Sequence, residues 1–138
     1  MKYLLIAVFS TLLAFTPLQA KAADLNAVIS SLCDYAKNNN RSSMRKKLKQ
    51  ARLKLRKIYQ GVQCGAGDGF EGGSLLRVST YFGAFDSAKF IATKIGSKGV
   101  KNAETDGKNI LTWTEALQSS GSASADLAQF IELYKSKS

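Results

Sequence analysis

Gly72-Gly73-Ser74-Leu75-Leu76-Arg77-Val78 returns in altered form 35 residues later as Gly107-Lys108-Asn109-Ile110-Leu111-Thr112-Trp113, and this echo decides the fold. Each copy sets an apolar pair after a loop that carries glycine. A second echo follows the first: Ala88-Lys89-Phe90-Ile91 is matched 40 residues on by Ala128-Gln129-Phe130-Ile131. The five-residue drift between the two echoes fits an insertion at the serine-rich turn from Ser119 to Ser124. Ser74 is a natural N-cap for a helix through Leu75, Leu76, Val78 and Phe82 that Gly83 ends. Asp86 is the expected start of the next helix, through Ala88, Phe90, Ile91 and Ile95, with Gly96 closing it and a polar loop from Ser97 to Lys108 after it. Ile110, Leu111, Trp113 and Leu117, then Leu127, Phe130, Ile131 and Tyr134, give two more apolar stripes at helical spacing. Residues 73–138 are therefore expected to form two helical hairpins.

A glycine-bearing loop, a short helix with an apolar pair and a second helix resembles the ankyrin-type unit of about 33 residues. Such units bury their faces against neighbours, so the resemblance implies a short stack. The Thr-Pro-Leu-His signature is absent, with Gly73-Ser74-Leu75-Leu76 in its place. Two unrelated helical hairpins remain the alternative.

Working toward the N-terminus, the segment from Arg41 to Lys57 holds nine cations and no carboxylate: Arg41, Arg45, Lys46, Lys47, Lys49, Arg52, Lys54, Arg56 and Lys57. Met44, Leu48, Ala51 and Leu55 step along one helical face within it, with Ser42 or Ser43 as cap. Leu53 and Leu55 also fit an extended segment, so periodicity leaves open whether this helix runs on to Tyr59 or stops near Arg52. Before it, Leu25, Val28, Ile29, Leu32 and Tyr35 or Ala36 repeat at helical spacing after Asp24, a natural cap, and Asn38-Asn39-Asn40 ends that helix. After it, Gln60 to Gly73 reads as a flexible connection, with five glycines between Gly65 and Gly73. The sum is about six short helices and no strand.

The only two cysteines, Cys33 and Cys64, bracket the basic run. In an exported chain such a pair is read first as a structural disulfide. A redox pair would more naturally be spaced Cys-x-x-Cys, and a zinc site needs further ligands from a chain without histidine. Export itself is expected from residues 1–22. Lys2 is followed by an apolar stretch from Leu4 to Phe15, then Pro17 and Ala20-Lys21-Ala22, the three regions of a secretory signal peptide. The apolar stretch is shorter than the roughly 20 residues that span a bilayer. Cleavage fits best after Ala22, with Ala20 as the alternative. It removes Lys2 and Lys21 and no carboxylate, which takes the net charge from +10 to +8. The periplasm is the expected location, with secretion second.

Over residues 31–78, Leu32-Cys33-Asp34-Tyr35, Arg45-Lys46-Lys47-Leu48, Leu53-Lys54-Leu55-Arg56-Lys57-Ile58-Tyr59, Val62-Gln63-Cys64 and Gly73-Ser74-Leu75-Leu76-Arg77 together resemble domain of unknown function 3718. That family comprises small exported gammaproteobacterial proteins with two cysteines around a basic segment. The resemblance implies export and a shared architecture and no activity. This chain departs from it in a longer glycine loop, Ala66 to Gly72, and in its extension beyond about residue 96.

The absence of histidine removes the usual general base and the commonest metal ligand. Ser43-Met44-Arg45-Lys46 matches Ser-x-x-Lys, but no Ser-Asp-Asn or Lys-Thr-Gly partner follows. Gly67 to Ser74 has the glycine spacing of a phosphate loop, with Gly73 where the lysine belongs. Asp68 and Glu71 are too few oxygens for calcium, which takes six to eight. No catalytic residue, metal or cofactor is expected.

The expectation is thus an all-α, single small domain of stacked helical hairpins, cross-linked by one disulfide. Residues 23–72 form the basic, disulfide-bracketed part and 73–138 the two hairpins. The leading functional expectation is a non-catalytic periplasmic binding protein whose nine cations engage an anionic envelope polymer or an acidic protein, with peripheral membrane contact as one form of this. Nucleic acid is not the expected partner outside the cytoplasm. An ankyrin-like adaptor that grips a protein partner is the alternative, and a structural or stress-related envelope protein the third reading.

Overall fold

The computed structural model describes residues 18–123 and 126–138. Seven helices follow one another: α1 (Leu18–Lys37), α2 (Arg41–Gln50), α3 (Leu55–Ile58), α4 (Leu75–Tyr81), α5 (Phe85–Lys101), α6 (Ile110–Ser120) and α7 (Ala128–Lys137). A 3-10 turn, Tyr59–Gly61, continues α3. The described residues hold no strand, only two isolated bridges in the glycine loop. The export signal read at residues 1–22 lies outside the described residues as far as residue 17. From Leu18, α1 runs unbroken past the expected cleavage point, so Asp24 lies inside a helix and is not its cap.

Three consecutive asparagines organise the first corner. Asn39 takes a left-handed conformation (φ 57°), and the Asn40 amide donates to Tyr35 O at 2.8 Å, which ends α1 as the sequence predicts. The cap of α2 is Asn40 rather than Ser42 or Ser43: its Oδ1 accepts from the Ser43 amide at 3.1 Å. The start of α5 is likewise not capped by Asp86, which lies in its first turn, where a carboxylate suits the positive end of the helix. The residue at its own cap position is Ala84, which has no acceptor, and Asn39 Oδ1 takes the Ser87 amide at 3.0 Å instead. One short polar run therefore stops α1, starts α2 and caps α5.

The open question about the second helix resolves at Arg52. Its φ of 55° turns the chain out of the helix, with Arg52 N donating to Lys49 O (3.2 Å) and Leu53 N to Leu48 O (2.9 Å). This is the paired hydrogen-bond closure normally built on glycine, and the two positions where an apolar pair usually accompanies it are Leu48 and Leu53. Among the described residues the helices number seven rather than about six because the segment after this turn forms a separate helix, α3.

The two hairpins are present and stacked. Helix α4 packs on α5 and α6 on α7, while α5 lies against α7 and α4 against α6. The first echo holds in atomic detail. Ser74 Oγ accepts from Arg77 N and Asn109 Oδ1 from Thr112 N; Ser79 and Thr114, each buried, donate back to Leu75 O and Ile110 O. The second echo is offset by one residue. Ala88 and Ile91 are fully buried, but Ala128 is exposed and Ile131 half-buried; the buried counterparts are Leu127, Phe130 and Tyr134. Gly96 (φ 74°) breaks α5 as expected, yet the chain resumes a helical turn to Lys101 where a loop was expected. At the other turn α6 extends through Ser119 and Ser120, and Ser124 lies outside the described residues.

One continuous apolar cluster joins α1 to α7. The glycine loop contributes to it, against the reading of a plain connection. Cys64 and Gly73 exchange backbone hydrogen bonds (2.7 and 3.0 Å), Gly67 and Phe70 close the tip, and the Phe70 ring is buried beside Tyr81 and Phe82. Cys33 and Cys64 are bonded, with Cα atoms 5.6 Å apart.

Tyr134, fully buried, meets Thr80 Oγ1 at 2.7 Å, and Thr80 donates to Leu76 O at 2.6 Å. Thr80 thus accepts from the tyrosine, tying the second hairpin to the first. Tyr134→Phe leaves Thr80 its bond to Leu76 and is expected to cost about 1 kcal/mol. Thr80→Val strands a buried phenol and is expected to cost more, about 1–3 kcal/mol. Denaturant midpoints of the two variants check the order.

Candidate anion-binding surface

Of the nine cations, eight are exposed and Lys47 is half-buried. None of the nine takes part in an ion pair among the described residues. The remaining pairing tendencies are local: Lys47 and Lys49 sit in the last turn of α2, where backbone carbonyls favour positive charge.

The turn at Arg52 decides how these charges are arranged. Leu48 and Leu53, on either side of it, line one apolar floor, extended by Leu55 and by Phe90 of α5. Arg45, Lys49, Lys54 and Arg56 rise around this floor, joined by Lys94, in a groove of about 450 Å³ that no carboxylate lines. Lys94 Nζ lies 4 residues along α5 from Phe90 and 5.7 Å from that ring's centroid. Gly96 helps to set the wall. A β-carbon there would stand 3.3 Å from Arg56 Nη2, so the bare backbone lets the guanidinium rest against α5.

The structure therefore brings together four of the nine expected residues and separates the rest. Lys47 edges a neighbouring shallow groove of about 630 Å³ with Leu25, Val28 and Leu53. Arg41, Lys46, Arg52 and Lys57 line neither groove. Lys94 and Phe90 were missed by the sequence reading. Their spacing puts them on one helical face, but only the packing of α3 on α5 joins that face to the basic run.

A second charged cluster is structural. Arg77, with its side chain 7 % exposed, holds Asp106 in a two-pronged contact (2.8 and 2.7 Å) and donates to Lys108 O at 3.1 Å. Its Nε faces the Glu104 carboxylate as an ion pair without an aligned hydrogen bond. Its guanidinium also lies 5.1 Å from the Trp113 ring centroid. Burial works to lower the Arg77 pKa, but the carboxylates of Asp106 and Glu104 outweigh it and hold it above its ordinary value. The Arg77 contact and the Lys108 amide hold the Asp106 carboxyl well below the usual range. Glu104 also accepts from the Tyr59 hydroxyl at 3.0 Å, and burial followed by that carboxylate pushes the phenol up. The cluster fastens α4 and the end of α3 to the loop before α6.

The motifs set aside in the sequence have local roles. Ser43 N donates to Asn40, Asp68 pairs with Lys37, which lowers its pKa through hydrogen bond and charge, and Glu71 is exposed. Among the described residues no group of three or more metal-binding side chains converges, and no helix is long and apolar enough to cross a membrane.

No curated protein and no solved structure matches the chain. A family profile matches residues 32–105, which takes in both cysteines, the whole basic run, the glycine loop, α4, all of α5 and the first residues of the loop after it. The shared part thus reaches past residue 96, where the chain was expected to depart, and leaves α6 and α7 outside it. Since the match spans more than half of the 138 residues, the chain belongs to the family described as "Protein of unknown function (DUF3718)".

Proposed function

We propose that this is an exported, non-catalytic binding protein of the periplasm whose cationic surface engages an anionic component of the cell envelope. The observation that carries the reading is the run from Arg41 to Lys57, eight of whose nine cations are exposed and none of which is ion-paired among the described residues. Against an anionic surface each nearby cation contributes on the order of 1 kcal/mol within a Debye length, so several acting together hold a small protein reversibly. The signal-like pattern of residues 1–22 and a disulfide suited to an oxidising compartment support the location. The absence of histidine supports a non-catalytic role.

Retention of the protein on immobilised lipopolysaccharide tests the proposal. Retention is expected to weaken steeply as salt rises. It is expected to fall further when Arg41, Arg45, Lys46 and Lys49 are replaced by glutamine. Retention indifferent to both salt and neutralisation counts against it.

An adaptor that grips a protein partner is the second reading. It is favoured by the stacking of the two hairpins and by a cleft of about 310 Å³ that Phe70, Tyr81 and Trp113 line. Partner capture that depends on residues 73–138 and survives neutralisation of the basic run supports it.

A further inference from the structure

Two features of the surface around Leu53 belong together. On one side is the groove with five cations around an apolar floor. On the other, sharing Leu53, is the shallow groove with Leu25 and Val28, edged by Lys47 and a single carboxylate, Asp24. Leu25 is 42 % exposed, the only large apolar side chain in that state among the described residues. An apolar strip from Leu25 to Leu53 is thus flanked by cations from α2, α3 and α5.

A hydrophilic polyanion uses the cations and leaves the leucines between them in water, and an acidic protein covers them only if it brings an apolar patch of its own. A membrane of anionic phospholipid uses both, because phosphates meet the lysines and arginines while apolar side chains enter the boundary between headgroups and acyl chains. We infer that this face is a peripheral docking surface for an anionic phospholipid bilayer. Arg45, Lys49, Lys54, Arg56 and Lys94 hold lipid phosphates, and Leu25 and Leu53 reach below them. The inference rests on the proposed affinity for anionic envelope components and names the component and the face.

The test uses the protein with vesicles of phosphatidylglycerol and phosphatidylcholine, against vesicles of phosphatidylcholine alone, by co-sedimentation. The pair Lys49→Glu and Lys94→Glu lies in the groove, and Arg41→Glu and Lys46→Glu change the charge equally outside it. All four side chains are exposed, so the fold is expected to survive, and a thermal melt checks this. The expected result is binding to the anionic vesicles only, with at least tenfold greater loss for the groove pair than for the outer pair. Leu25→Gln is expected to remove the part of the binding that persists at high salt.

Equal losses for the two pairs, with no effect of Leu25→Gln, overturn the docking face and leave the broader anionic affinity standing. Retention on lipopolysaccharide without binding to either vesicle has the same consequence. Failure to bind any of the anionic probes overturns both readings.

Discussion

Replacing Cys33 and Cys64 together by serine is expected to lower stability by roughly 3 kcal/mol, which corresponds to a fall in melting temperature on the order of 10 °C. The bond joins residues 31 apart in sequence, so the oxidised unfolded chain loses conformations that the serine variant regains. The native contribution is local as well. Cys64 shares two backbone hydrogen bonds with Gly73, immediately before the Ser74 cap of α4, so the sulfur bridge anchors the start of the first hairpin to α1. Denaturant unfolding of the oxidised protein and the variant measures the difference. The variant is also expected to show a steeper denaturant dependence, since its unfolded chain exposes more surface. Coincident unfolding curves would mean that the bridge constrains neither state.

The second large effect is expected at Arg77. Arg77→Leu keeps an apolar volume on α4 but leaves Glu104, whose side chain is 12 % exposed, beside Asp106 with no cation between them. Removing one partner of such a buried cluster is expected to cost about 3 kcal/mol or more. Adding Glu104→Gln and Asp106→Asn to Arg77→Leu is expected to recover part of that loss, and the triple variant therefore separates the ion cluster from the packing of the side chain.

Acid sensitivity is the independent readout. The folded protein holds the Asp106 carboxyl below its ordinary value, so its contribution is fully present above the unfolded value near 4. It is lost progressively as pH falls below about 4 toward the depressed folded value. Asp106→Asn is expected to flatten the stability profile in that acid window and to leave its shape near neutrality unchanged. Denaturant midpoints across the window check this. Since Asp106 is 41 % exposed, the effect of this residue alone is expected to be smaller than that of Arg77.

The hairpins were legible because their signals are local. Ser74 and Gly83 act within one turn of the chain, and the repeat of Leu75-Leu76 in Ile110-Leu111 keeps its first member buried and its second half-buried. Of the caps that sequence reading misplaced, Asp24 lies inside a helix that starts earlier, and the other two are supplied by a different neighbour or from a distance. Asn39 reaches α5 across 48 residues, and no window around Asp86 contains that acceptor. Arg52 in a left-handed conformation was invisible for another reason: glycine or asparagine is the usual mark of such a turn, and arginine carries no such signal. Phe70 was hidden among glycines that suggested only flexibility.

The candidate surface was legible in half. A run of cations without a carboxylate is a property of the chain, and exposure of eight of its members agrees with it. The groove is a property of the packing. It requires the stop at Arg52, the descent of α3 onto α5 and the opening at Gly96, and so neither Lys94 nor the separation of Lys46 and Lys57 from Arg45 and Arg56 followed from composition.

The bridge between α1 and the glycine loop has one more consequence, which concerns covalent topology. The basic segment hangs in a closed ring whose two ends are held with Cα atoms 5.6 Å apart. Trypsin-like proteases cut after lysine and arginine, and this ring carries most of the exposed ones among the described residues. A single cut anywhere between Asp34 and Gln63 opens the ring without releasing a fragment, so the charged segment stays attached to the protein after its backbone has been severed.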